Sequence, residues 1–96
     1  MKQVMVRYRI KPDQVERNVE LVRDVYEELH RTRPAGLRYA TFQLEDGVSF
    51  MHFAIQDGES PLPGVAAFQR FTQDIRERCD EPPVVTKLSE VGSYRL

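Results

Sequence analysis

His52 is the residue whose type and setting most invite acid–base chemistry. It stands in the run Ser49-Phe50-Met51-His52-Phe53-Ala54, where alternate side chains of a strand point to opposite faces. A histidine among apolar neighbours and near arginine is pushed toward its neutral form, and a neutral imidazole can accept a substrate proton. The other reading is a histidine satisfied at an interface. Catalysis by His52 requires a connected cavity that it lines and that solvent can reach. Arg7 and Arg9, two apart in the first strand, could bind an anionic or oxyanionic group, or pair with Glu or Asp across an interface. Tyr39 and Phe50 could stack on a planar ligand or serve as ordinary sheet packing. Thr41, opposite His52 by the register derived below, completes the candidate ligand-binding set.

The other chemistry-bearing residues read more simply. His30 follows Leu29 at a helix end, where a cation suits the dipole. Cys79 lies on an apolar stripe with Asp80 and Glu81 beside it, the wrong sign to activate a thiol, and reads as core. A lone cysteine forms no internal disulfide, and no Cys/His cluster has metal-ligand spacing, so neither metal nor cofactor is expected.

Those residues need a frame to position them. Ninety-six residues allow one domain and one core, so residues 1–96 read as a single domain. Fourteen basic and fifteen acidic residues give a net charge of −1, which predicts no attraction to nucleic acid or anionic membranes. No apolar stretch could span a bilayer, and Arg7 and Arg9 interrupt any signal-like run, so a cytoplasmic location is expected.

In residues 3–11, Val4, Val6, Tyr8 and Ile10 alternate with Met5, Arg7, Arg9 and Lys11, the pattern of a half-buried strand. Pro12-Asp13 breaks it, and Asp13 with Glu16 forms a plausible capping pair for a helix. Val15, Val19, Val22, Tyr26 and Leu29 make one helical stripe, and Pro34 and Gly36 end it. Leu37 to Leu44 and Val48 to Gln56 flank Asp46-Gly47, a two-residue hairpin signal. Counting from that turn pairs Gln43 with Phe50, Thr41 with His52 and Tyr39 with Ala54. A second helix is predicted from about Gly64 to Cys79. Asp80-Glu81-Pro82-Pro83 stops it, and a last strand runs from about Val84 to Val91, its facing left open.

The order β-α-β-β-α-β predicts an α+β ferredoxin-like fold, with a four-stranded antiparallel sheet and two helices on one face. The hairpin face bearing Arg38, Ala40, Phe42, Leu44, Met51, Phe53 and Ile55 is the more apolar, and is assigned to the helices. The open face then carries Met5, Arg7, Arg9, Leu37, Tyr39, Thr41, Phe50, His52 and Ala54. Such a mixed face calls for cover by a second copy around a two-fold axis, leaving a partly polar cavity for a small molecule.

With these elements in place, the chain resembles the dimeric α/β-barrel proteins, and within them the antibiotic-biosynthesis-monooxygenase-like group. The likeness spans nearly the whole chain: a strand ending in Lys11-Pro12, a Glu/Arg-rich first helix, the hairpin, a second helix opening near Pro63-Gly64-Val65, and Glu81-Pro82-Pro83-Val84-Val85 before the final strand. The resemblance implies a homodimer whose sheets enclose a cavity. It also implies relatives that oxidise planar aromatic substrates without metal or flavin, others that degrade haem, and others with no known reaction. The chain departs from the Asn-Trp-type sites of the active relatives: it has no Trp, and its only Asn is Asn18 on the first helix.

The same element order builds RNA-recognition domains. Asp46-Gly47-Val48-Ser49-Phe50-Met51-His52-Phe53 partly echoes their third-strand motif, but Asp46 replaces the base and Val48 a stacking aromatic. The reading that remains is a homodimer binding a small apolar or aromatic molecule. It is either a cofactor-independent oxygenase, with His52 as proton acceptor and Arg7 or Arg9 on an enolate-like oxygen, or a non-catalytic ligand-binding or stress-associated member of the fold.

Overall fold

In the computed structural model, residues 1–95 are described. The chain runs β1 (Lys2–Ile10), α1 (Val15–Thr32), β2 (Leu37–Gln43), β3 (Ser49–Gln56), α2 (Ala66–Thr72), α3 (Ile75–Arg78) and β4 (Cys79–Lys87). All strand pairs are antiparallel and the order is β2-β3-β1-β4, which is the expected βαββαβ arrangement with its second helix in two pieces.

The alternation of β1 holds. Tyr8 and Ile10 are buried while Arg7 and Arg9 stay exposed. The stripe of α1 packs Leu21, Val22 and Val25 into the same core as Tyr8, Ile10, Phe50 and Phe71. Each such side chain contributes about 1.5–3 kcal/mol of transfer free energy when fully buried. The expected Asp13–Glu16 cap does not form. Pro12–Gln14 instead makes a 3-10 turn closed by the Gln14 N–H on the Lys11 carbonyl, and no side chain caps α1.

The hairpin register is the one counted from the sequence: Gln43 faces Phe50, Thr41 faces His52 and Tyr39 faces Ala54. The turn is longer than two residues. The Leu44 N–H still bonds the Ser49 carbonyl, which leaves residues 45–48 as the loop. Asp46 explains the difference. Its carboxylate accepts from the Val48 and Ser49 N–H groups and from the Ser49 hydroxyl, and Gly47 takes a φ of 78°.

The facing of the hairpin is the reverse of the expectation. Val4, Val6 and Tyr8 of β1 pair with Ala54, His52 and Phe50, and that face lies beneath the helices. The apolar set Ala40, Phe42, Met51, Phe53 and Ile55 shares the outer face with Met5, Arg7 and Val84. Phe42 is 52% exposed there, edge-on to Phe53. The less apolar face is the buried one because its polar members bond one another, which lowers the cost of burying them.

The second helix was expected unbroken to Cys79, with β4 beginning near Val84. It breaks at Gln73, which is extended, and Asp74, which is left-handed at φ 61°. Arg78 supports the break by donating from Nη1 to the Gln73 carbonyl and from Nη2 to the Phe71 carbonyl. Cys79 is core, as expected, but opens β4 rather than closing a helix. Pro82 and Pro83 sit inside β4, which an edge strand tolerates, and the β1–β4 register shifts on either side of Arg9.

Candidate functional site

The inner face of the sheet carries a continuous chain of hydrogen-bonded side chains from α3 to the β2 edge. Arg78 Nη2 donates to Asn18 Oδ1 (3.4 Å), and Asn18 Nδ2 donates to the Tyr8 hydroxyl (3.0 Å). Tyr8 Oη lies 2.7 Å from His52 Nε2. His52 Nδ1 lies 2.7 Å from Tyr39 Oη and 3.1 Å from Thr41 Oγ1, and Thr41 lies 2.7 Å from Tyr26 Oη. Asn18 is fully buried, and Tyr8, His52 and Arg78 are nearly so.

Each member is delivered by an ordinary local feature. Alternation in β1 and β3 turns Tyr8 and His52 inward, and the pairing of Val6 with His52 sets Tyr8 diagonal to the imidazole. Asn18 lies one turn before Val22 on the α1 stripe, and Tyr26 one turn after it. Rings close the surroundings: Phe71 stacks on His52 at 5.2 Å, Phe50 on Tyr8 at 5.6 Å and Tyr26 on Tyr39 at 5.4 Å.

The chain has a direction, fixed at its buried end. A guanidinium can only donate, so Asn18 presents its carbonyl to Arg78 and its amide to Tyr8. Tyr8 accepts from that amide and has its own hydrogen left for His52 Nε2. Burial lowers the His52 pKa to about 4, so the ring is neutral at pH 7. With Nε2 accepting, the ring proton sits on Nδ1 and points at Tyr39 and Thr41. Burial also pushes the Tyr8 and Tyr39 phenols up, which keeps both protonated. In the tautomer that sets the Tyr8 hydrogen on Nε2, every hydrogen from Arg78 to His52 points toward β2.

There the chain meets a cleft of about 270 Å³ between the end of α1 and β2. Tyr26 and Tyr39 line it together with Leu29, His30, Arg33, Pro34 and Leu37.

The expected site residues divide accordingly. Tyr39, Thr41 and His52 come together. His52, however, is 4% exposed, both ring nitrogens are engaged, and it lines none of the clefts found among the described residues. The requirement that it line a cavity open to solvent is not met. Phe50 is packed inside the core rather than offered to a ligand. Arg7 and Arg9 lie on the opposite face of the sheet from His52, and Arg9 pairs with Glu81 at 3.5 Å. Asn18, Tyr8, Tyr26 and Arg78 were not among the expected site residues. The signal for Asn18 was an amide on an otherwise apolar helical stripe; Arg78 carried none, because its place depends on the break at Gln73-Asp74.

Among the described residues, no group of three or more His, Cys, Asp or Glu side chains could hold a metal ion, and no helix is long and apolar enough to cross a membrane.

No family profile and no curated protein matches the chain. Solved structures do. A protein from Bacteroides thetaiotaomicron described as a 'putative antibiotic biosynthesis monooxygenase' superposes at TM-score 0.79 with 12% identity, over 94% of this chain and 89% of that one. Another from Nitrosomonas europaea gives 0.76 and 16%, over 96% and 100%. SnoaB, a cofactor-independent oxygenase from Streptomyces nogalater, gives 0.69 and 9%, over 99% and 97%. At these identities the likeness defines the fold alone: the chain shares the ferredoxin-like fold of these proteins.

Proposed function

We propose that this chain works as a homodimer that binds a small aromatic molecule in the Tyr26–Tyr39 cleft and oxidises it with dioxygen, without a cofactor. The outward-directed chain from Arg78 to Tyr39 carries this reading. Hydrogen bonds that all point one way polarise one another, so the last phenol is a strengthened donor for a developing oxyanion. That is the role first assigned to Arg7 or Arg9. His52 is then a relay in the donor chain rather than the base. In an anthrone-like substrate, the ring CH2 opposite the carbonyl loses a proton to water, and the charge is delocalised through the fused rings onto the carbonyl oxygen. The carbanion carbon passes its electrons to dioxygen and a C–O bond forms. Loss of water from the hydroperoxide leaves a new ketone, so one oxygen enters the product and the other leaves as water.

The outer sheet face supports the dimer. Phe42, Met51, Phe53, Ile55 and Val84 form a contiguous apolar surface with Arg7 within it, and a second copy is its simplest cover. A non-catalytic ligand carrier is the second reading, favoured by the absence of a free lone pair on His52.

The test is oxygen uptake with a hydroxyanthrone, comparing the wild type with Tyr39→Phe. Uptake that falls at least about tenfold in the variant supports the reaction. Binding without uptake selects the carrier, and absence of binding removes the cleft from either role.

A further inference from the structure

We propose that the molecule taken by the Tyr26–Tyr39 cleft is an aromatic anion, such as an aryl carboxylate, oriented by Arg33 at the rim. The inference rests on the cleft being the ligand site and adds the charge of the ligand. Tyr26 and Tyr39 are stacked on each other within 19° of parallel and both line the cleft, so a ligand ring there meets aromatic surface. Leu29 and Leu37 supply apolar floor. The ionisable side chains lining the cleft are His30 and Arg33 besides the two phenols, and no carboxylate lines it. Arg33 makes no ion pair among the described residues, so its guanidinium is available for bidentate recognition of a carboxylate.

The backbone at Arg33 adds a second, independent observation. It ends α1 in the left-handed conformation, φ 49° and ψ 57°, with its N–H on the Leu29 carbonyl. Glycine is the usual residue at that place, because a Cβ there is strained. An arginine that is costly to the fold yet stands at the rim of an aromatic cleft is better explained by what its side chain binds than by the helix end it makes. Stability and binding therefore pull in opposite directions at this position.

Titration calorimetry of the full chain at low salt tests this with 2-naphthoate, neutral 2-naphthamide and the non-aromatic anion cyclohexanecarboxylate. Naphthoate is expected to bind at least about tenfold more tightly than either of the others. Arg33→Gly should bring naphthoate to parity with naphthamide while leaving the melting temperature unchanged or higher. Arg31→Ala, one residue from the helix end and outside the cleft, should leave naphthoate affinity within about twofold. Naphthamide binding as tightly as naphthoate would overturn the proposal while leaving the cleft as ligand site. Equal losses in Arg31→Ala and Arg33→Gly would also overturn it, because the effect would then be general charge. Failure of all three probes to bind would overturn both the proposal and the site.

Discussion

The Tyr8 hydroxyl and His52 Nε2 meet at 2.7 Å inside the protein, and Asn18 holds the same hydroxyl from the other side at 3.0 Å. Tyr8 is the link with no substitute: its oxygen accepts from one buried group while its hydrogen serves another. Tyr8→Phe leaves both partners buried and unsatisfied, with an expected loss of about 1–3 kcal/mol. Tyr26→Phe, at the half-buried end where water can replace the phenol, should cost less. Urea titration of both variants checks the order, and equal losses would contradict it.

Acid should weaken the fold through His52. Its pKa is lowered to about 4 from an ordinary 6.5, so the unfolded chain takes up a proton before the folded one does. The stability from this group is complete above pH 6.5 and is lost as the pH falls toward 4. The full difference is on the order of 3 kcal/mol. His52→Gln should flatten that part of the pH–stability curve, although the variant is less stable at pH 7. An unchanged slope in chemical denaturation between pH 7 and 4 would contradict the assignment.

Phe42 tests the outer face. Its half-exposed ring contributes little to the fold of one chain but lies within the proposed interface. Phe42→Asp should raise the dimer dissociation constant at least about tenfold and leave the circular dichroism spectrum unchanged. Sedimentation should give the wild type a mass near twice 11.2 kDa. A wild-type mass near that of one chain at micromolar concentration would remove the dimer.

Cys79 should be inert. It is buried at the start of β4, and burial raises its thiol pKa. Reaction with a disulfide reagent should be at least about a hundredfold slower in the folded protein than in urea. Comparable rates would show that β4 opens readily from β1.

The element order and the hairpin register could be read from the sequence because each rests on a local rule. Period-two alternation marks β1, and Asp46-Gly47 centres the pairing even though the loop has four residues. The faces could not be read the same way. Tyr39, Thr41 and His52 look like a solvated or interfacial set until Tyr8, Asn18 and Tyr26 are placed against them, and those partners come from β1 and α1. Arg78 was hidden for a related reason. A helix assumed continuous to Cys79 carries its arginines around its surface, and only the break at Gln73-Asp74 turns this one inward. What tertiary pairing decides, a reading of single segments misses.

The direction of the donor chain depends on His52 being a neutral imidazole with its proton on Nδ1. Nitrogen-15 NMR of the histidine ring measures this directly. At pH 7 the expected result is Nδ1 protonated and Nε2 bare, with the ring staying neutral as the pH falls to about 5. A proton on Nε2, or a ring that titrates near 6.5, would reverse or dissolve the hydrogen-bond direction on which the proposed function depends.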